Sequence, residues 1–236
     1  MEKWNVRTMF GPNMRFSVAE AYKLLRTNIM FSFSDEGRGH VIGVTSSLQS
    51  EGKSSTAVNT AYALAESGAK VVLIDADLRR PSVASKLNLS RTPGLTNTLV
   101  ARGNWHELLQ RNPLAPNMDV LTSGDVPPNP SELLGSSRME QLVQELAKEY
   151  DYVIVDLPPV NVVSDAIAVS RYLDGVIMVV RNGVSEQRML AEAMRQLNLV
   201  NVRVLGFVFR ESTVGGSKYR KKYNYKYRYK YKKGLF

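Results

Sequence analysis

Val41-Ile42-Gly43-Val44-Thr45-Ser46-Ser47-Leu48-Gln49-Ser50-Glu51-Gly52-Lys53-Ser54-Ser55 decides how this chain folds. The opening run, Val41 to Val44, is apolar without alternation, which suits a strand buried on both faces. Helical periodicity then runs from Ser54 to Ser67. Gly52-Lys53-Ser54 therefore closes a phosphate-binding loop between strand and helix. In such a loop the backbone N–H groups and the helix N-terminus cradle a polyphosphate. Lys53 reaches the β- and γ-phosphates, and the Ser54 hydroxyl is placed to ligate Mg²⁺. Gln49, Ser50, Glu51, Gly52, Lys53, Ser54 and Ser55 are the candidate nucleotide-binding residues. The first glycine of G-x-x-x-x-G-K-[ST] is absent, with Ser47 in its place.

Outward from this loop the pattern repeats. Val71 to Ile74, Val153 to Val155, Val176 to Val180 and Val204 to Val208 are further apolar runs, and Met118 to Leu121 is a candidate strand. Helical stretches lie between them at 136–148 and 185–198, and an extra helix at 18–31 precedes the first strand. Strands alternating with helices predict an α/β protein, a mostly parallel sheet flanked by helices on both sides. Pro127-Pro128-Asn129-Pro130 reads as a rigid turn, with Ser131 expected to cap the helix that follows. Two of the runs end in carboxylates. Asp75 and Asp77 follow the second, and Asp156 closes Val153-Ile154-Val155 in the manner of a Walker B strand. The carboxyl ends of parallel strands face the crevice where open α/β sheets bind ligands. Lys53 with Ser54, Asp75 with Asp77, and Asp156 thus form one constellation from three strand ends.

Composition removes other chemistries. The 236 residues contain no cysteine, which excludes disulfides, thiolate metal sites and cysteine nucleophiles. Two histidines, His40 and His106, are too few for most imidazole metal sites. No apolar run reaches the roughly 18–20 residues that span a bilayer, and no secretory signal is read at the N-terminus.

The net charge of +9 belongs to one segment. Lys218 to Lys233 holds nine basic residues and no acidic ones, so the rest of the chain is balanced. The same segment carries Tyr219, Tyr223, Tyr225, Tyr227, Tyr229 and Tyr231. With no aliphatic residue between Lys218 and Lys233 to build a core, a disordered tail is read over 218–236, following a domain over 1–217. Basic residues interleaved with tyrosines suit nucleic acid, an anionic membrane surface or a phosphate acceptor.

The ordered Walker A segment (46–55), Walker A′ segment (71–81) and Walker B segment (153–159), with Pro128-Asn129-Pro130-Ser131-Glu132-Leu133-Leu134 and the tyrosine tail, resemble the bacterial tyrosine kinases, or BY-kinases. The resemblance covers almost the whole chain. It implies the MinD/ParA-like P-loop fold, and Leu48, where those ATPases carry a signature lysine, favours the kinase branch. It implies ATP and Mg²⁺ as cofactors, Lys53 on the phosphates, Ser54, Asp77 and Asp156 around the metal, and Lys53, Asp75 and Asp77 as catalytic. Asp75 is the candidate to orient or deprotonate the tyrosine hydroxyl. The six tail tyrosines are the implied phosphorylation sites. Glu20-x-x-Lys23-x-x-Arg26 matches the family's Glu-x-x-Arg-x-x-Arg assembly motif with lysine at the first arginine. A solvated charged helix face is the plain alternative.

The resemblance further implies a homo-oligomer, in ring form. It implies a membrane-anchored polysaccharide co-polymerase as activator and a tyrosine phosphatase as counterpart, with no nucleic acid. The implied setting is cytoplasmic, with recruitment to the membrane by that partner and a role in capsule or exopolysaccharide synthesis. The competing reading is a MinD/ParA-like regulatory ATPase without kinase activity.

Overall fold

The structure, a computed structural model, describes residues 14–33, 37–101, 104–112 and 115–210. Within them seven strands form one sheet: β1 (His40–Ser46), β2 (Val71–Asp75), β3 (Gln110–Arg111), β4 (Met118–Leu121), β5 (Tyr152–Asp156), β6 (Gly175–Arg181) and β7 (Val204–Arg210). Their spatial order is β3-β4-β2-β5-β1-β6-β7. Every neighbouring pair is parallel except β3 with β4.

Successive residues of the inner strands serve opposite faces. Val41, Val72, Ile74, Val153 and Val155 pack on one side against Met139, Leu142, Val143 and Leu146 of helix α6 (Ser137–Glu149). Ala193 and Leu197 of α8 (Gln187–Leu199) join that layer. Ile42, Val44, Val71, Leu73 and Ile154 pack on the other side, against Ala57, Val58, Ala61 and Leu64 of α2 (Lys53–Glu66). Burying one such side chain contributes about 1.5–3 kcal/mol. A run apolar on every residue therefore stabilises both helical layers at once, and no alternation is needed.

Helix α1 (Phe16–Ser32) lies against α2. Ile29 is its buried residue, and Arg26 donates to the Ala63 carbonyl at 3.0 Å. Lys23 instead pairs with Glu20 at 2.9 Å on the exposed face. Of the three residues in the assembly motif, one is thus committed to fastening α1 and two remain at the surface.

Short helices complete the chain: α3 (Val83–Leu87), α4 (Leu95–Ala101), α5 (Pro130–Leu134) and α7 (Asp165–Ser170). The expectation for Ser131 needs correction. Asn129 occupies the N-cap of α5, and Ser131 lies inside that helix with its hydroxyl bonded to Asp165. The hydroxyl finds a buried carboxylate, which binds it more strongly than a backbone N–H would. Ser136 is the side chain that caps a helix here, accepting from the Met139 N–H at 3.3 Å.

Candidate active site

Because β5 lies between β1 and β2, three strand ends meet. Asp156 is the register partner of Val44 on one side and of Asp75 on the other. The chain after Val44 runs through Thr45 and Ser46 into the loop that starts α2. Lys53, Asp75, Asp77 and Asp156 are thereby brought together from positions more than a hundred residues apart.

The Lys53 ammonium lies 2.6 Å from Asp77 Oδ2 and 3.8 Å from Asp156 Oδ1. Its Nζ also reaches Ser54 Oγ at 3.4 Å. Burial alone would lower the Lys53 pKa, but Asp156 and Asp77 outweigh it and hold the ammonium above its ordinary value. Burial raises the Asp156 carboxyl, and Lys53 only partly offsets this. Both Asp156 oxygens are buried without a hydrogen-bond partner, as is Oδ1 of Asp75. Burial, then the nearby Asp156, push the Asp75 pKa up to about 8.

The loop holds its own shape. Gly52 adopts φ +96°, the left-handed region that favours glycine. A Cβ there would also meet the Arg210 guanidinium. Glu51 turns its carboxylate inward, where it accepts from Ser47 Oγ at 3.0 Å and from the Leu48 N–H at 2.9 Å. Ser185, before α8, donates to the same carboxylate. Only the backbone of Glu51 is left for a ligand. Arg181 from the end of β6 donates to the Ser50 carbonyl at 2.9 Å, and Arg210 from the end of β7 to the Gly52 carbonyl at 3.2 Å. These two arginines were not singled out from sequence. The rule that pointed to Asp75 and Asp156, a polar residue closing a buried parallel strand, applies to Arg181 on β6, whereas Arg210 closes the edge strand β7, which has no buried residue.

On the other side, Asp75 does not line the cleft. Its Oδ2 accepts from the Ser82 and Val83 N–H groups at 3.1 and 3.0 Å, anchoring the first turn of α3. Arg79 makes a double contact with the fully buried Asp165, at 2.8 and 3.1 Å. Ser131 donates to that carboxylate too, so the Pro128–Leu134 segment is tied directly to Walker A′. Arg80 donates to Gln49 Oε1 at 2.6 Å across the mouth. The result is a cleft of about 770 Å³ lined by Gln49, Ser50, Gly52 to Ser55, Asp77 and six cationic side chains.

A triphosphate suits this cleft by size, by the αL glycine at the head of α2 and by its surplus of positive charge. Among the described residues no three acidic or imidazole side chains form a self-contained metal cage. That accords with Mg²⁺, which is bound through one or two protein oxygens and substrate phosphates. Ser54 would bind it directly, and Asp77 and Asp156 would complete its shell, in part through water.

Residues 39–201 match the AAA domain family. The chain is 40% identical over 204 residues to the tyrosine-protein kinase YwqD of Bacillus subtilis, spanning 86% of this chain and 84% of that one. The chain belongs to the bacterial tyrosine-protein kinase family. The kinase domain of Escherichia coli tyrosine kinase ETK shares its fold at a TM-score of 0.79 and 32% identity, over 85% of this chain and 79% of that domain. MinD from Pyrococcus horikoshii, solved with Mg-ADP, matches in fold alone, at a TM-score of 0.62 and 20% identity over 72% of this chain and 70% of MinD. Tyr219, Tyr223, Tyr225, Tyr227, Tyr229 and Tyr231 lie outside the described residues. No described helix is long and apolar enough to cross a membrane.

Proposed function

We propose that this kinase transfers the γ-phosphoryl group of ATP to tyrosines of its own C-terminal segment. The observation that carries the reading is the meeting of Lys53, Asp77 and Asp156 beside the phosphate loop, in a chain of this family. The tyrosine oxygen attacks the γ-phosphorus, the bond to the β–γ bridging oxygen breaks, and ADP leaves with that electron pair. Lys53, drawn off Asp77 by the arriving phosphates, neutralises the charge that builds on the bridging and γ-oxygens. Ser54, Asp77 and Asp156 would hold Mg²⁺, partly through water, and the ion would add to the charge neutralisation of the phosphates.

The phenolic proton is assigned to Asp75. A phenol has a pKa of about 10, and an ordinary carboxylate is a poor base for it. Burial raises Asp75 and narrows that gap. Asp75 is fully buried and does not line the cleft, so this role requires the cleft wall to open as nucleotide and tyrosine enter. The acceptors are Tyr219, Tyr223, Tyr225, Tyr227, Tyr229 and Tyr231. Six phosphotyrosines add roughly −9 to −12 charges and cancel the tail's +9.

Self-association through Glu20, Lys23 and Arg26, a membrane-anchored activator, an opposing tyrosine phosphatase and a role in polysaccharide synthesis complete the reading. They rest on the family resemblance. Intact-protein mass spectrometry tests the core of it. After phosphatase treatment and incubation with Mg·ATP, successive 80-Da additions mapping to the tail and requiring Lys53 are expected. Phosphate released to solution but never found on protein, even with activator fragments present, identifies a regulatory ATPase instead.

A further inference from the structure

Among the described residues six cationic side chains line the cleft: Lys53, Arg79, Arg80, Lys86, Arg181 and Arg210. Five have a protein acceptor. Lys53 has Asp77, Arg79 has Asp165, Arg80 has Gln49, and Arg181 and Arg210 have loop carbonyls. Lys86 spends its backbone N–H on the Ser82 carbonyl at 3.1 Å, but among the described residues its ammonium has no hydrogen bond or ion pair. Burial lowers its pKa first of all, Asp156 and Asp75 pull it back up, and Arg210 and Lys53 push it further down. The ammonium therefore shares its field with the groups that surround the phosphate loop.

Its position is fixed from beneath. Val83 and Leu87 sit in the same core layer as Ala57, Val58 and Ala61 of α2. Asp75 holds the first turn of α3, and Asn88 ends the helix in the left-handed region at φ 56°. With Val83, Ala84 and Leu87 turned to the core, Ser82, Ser85 and Lys86 are presented to the cleft. A half-buried cation without a direct ion-pair partner destabilises the empty protein. It is offset when an anion arrives.

We propose that Lys86 is a second lysine that contacts the terminal phosphoryl group of the nucleotide. It would act from the α3 wall of the cleft while Lys53 acts from the loop. The inference rests on the nucleotide-binding part of the proposed function and is independent of where the phosphoryl group goes. Asp75 gains a positioning role from it, because its Oδ2 sets the helix that carries Lys86.

The test compares a non-hydrolysable ATP analogue with ADP, both with Mg²⁺, by calorimetry on the full chain and its Lys86→Met and Lys86→Arg variants. Lys86→Met should weaken the analogue by about 10- to 100-fold, as expected for a lost charge-assisted contact, and ADP by less than about twofold. Lys86→Arg should recover most of that loss. The empty Lys86→Met protein should melt no lower than wild type, whereas a merely structural lysine would lower the melting temperature. Unchanged analogue affinity, or equal losses for analogue and ADP, overturns the assignment. Wild type that binds the analogue but never forms phosphotyrosine sinks the kinase reading and leaves Lys86 standing. Wild type that binds neither nucleotide overturns both.

Discussion

The ammonium of Lys53 is 2.6 Å from the carboxylate of Asp77, a residue from a different strand end. The two groups assigned to the phosphates and the metal thus satisfy each other first. Nucleotide must separate them. Lys53→Met should therefore lower autophosphorylation by about 10²- to 10³-fold or more, the usual cost of one preorganised charge contact. Phosphotyrosine content after a timed Mg·ATP incubation reads this directly, and wild-type levels in the variant would exclude Lys53 from the reaction.

Asp156 has both oxygens buried without a hydrogen-bond partner, and its nearest cation is the Lys53 ammonium at 3.8 Å. Asp156→Asn should raise the Mg²⁺ concentration needed for nucleotide binding by roughly tenfold, about the cost of one lost charged ligand. The empty variant should be as stable as wild type or more so, since a buried charge has been removed. A Mg²⁺ titration of nucleotide affinity that coincides with wild type would remove Asp156 from the metal site.

Gly52 carries a positive φ and sits against Arg210. Gly52→Ala should cost about 1–2 kcal/mol from the backbone alone. Adding Arg210→Ala relieves the side-chain collision but not the torsion. Denaturant unfolding of the single and double variants should therefore show only partial recovery. Full recovery would mean that the collision alone excludes a side chain at Gly52.

Arg79 bridges Walker A′ to the buried Asp165, which Ser131 also serves. Half of Arg79 is in solvent, so Arg79→Gln should cost only about 1–3 kcal/mol. In a double-mutant cycle with Asp165→Asn the losses should be strongly non-additive. Simple additivity would show that the pair does not act as one brace.

At the opposite end of the sheet, burial would raise the Asp174 pKa. The Arg38 guanidinium, at 3.0 and 2.6 Å, and the Val41 N–H, at 2.7 Å, instead hold it below the ordinary value. Its contribution is present above the unfolded pKa of about 3.9 and is lost as pH falls through the lower folded value. Asp174→Asn should thus lower stability at neutral pH and flatten the decline of stability below about pH 4. Parallel acid-unfolding curves for variant and wild type would contradict this.

The inner strands β1, β2, β5 and β6 were legible because burial on both faces leaves no room for polar residues, whereas the two-residue β3, Gln110–Arg111, was not. Val153 to Val155 announced β5, and Ser54 to Ser67 announced α2 within a residue. The place of β5 between β1 and β2 was not legible, since periodicity carries no record of neighbours. Asp75 and Asp156 could be named from sequence, but not that they are register partners. The helices α3, α4 and α7 escaped because five to seven residues are too few to show a helical period. With α3 went Lys86, and with α7 went Asp165. Glu51 was counted with the nucleotide-binding residues, although its side chain braces the loop from within.

Arg210 both ends β7 and bonds the carbonyl of Gly52, so the last described residue is anchored at the rim of the phosphate cleft. Chain length then becomes a ruler. Tyr219 is nine residues from that anchor and Tyr231 is twenty-one. At about 3.3–3.6 Å per extended residue they reach at most roughly 30 and 75 Å. In any assembly that phosphorylates between subunits, the gap between neighbouring clefts decides which tyrosines can arrive. A wide gap leaves Tyr219 untouched whatever its sequence context, and a narrow one exposes the whole row.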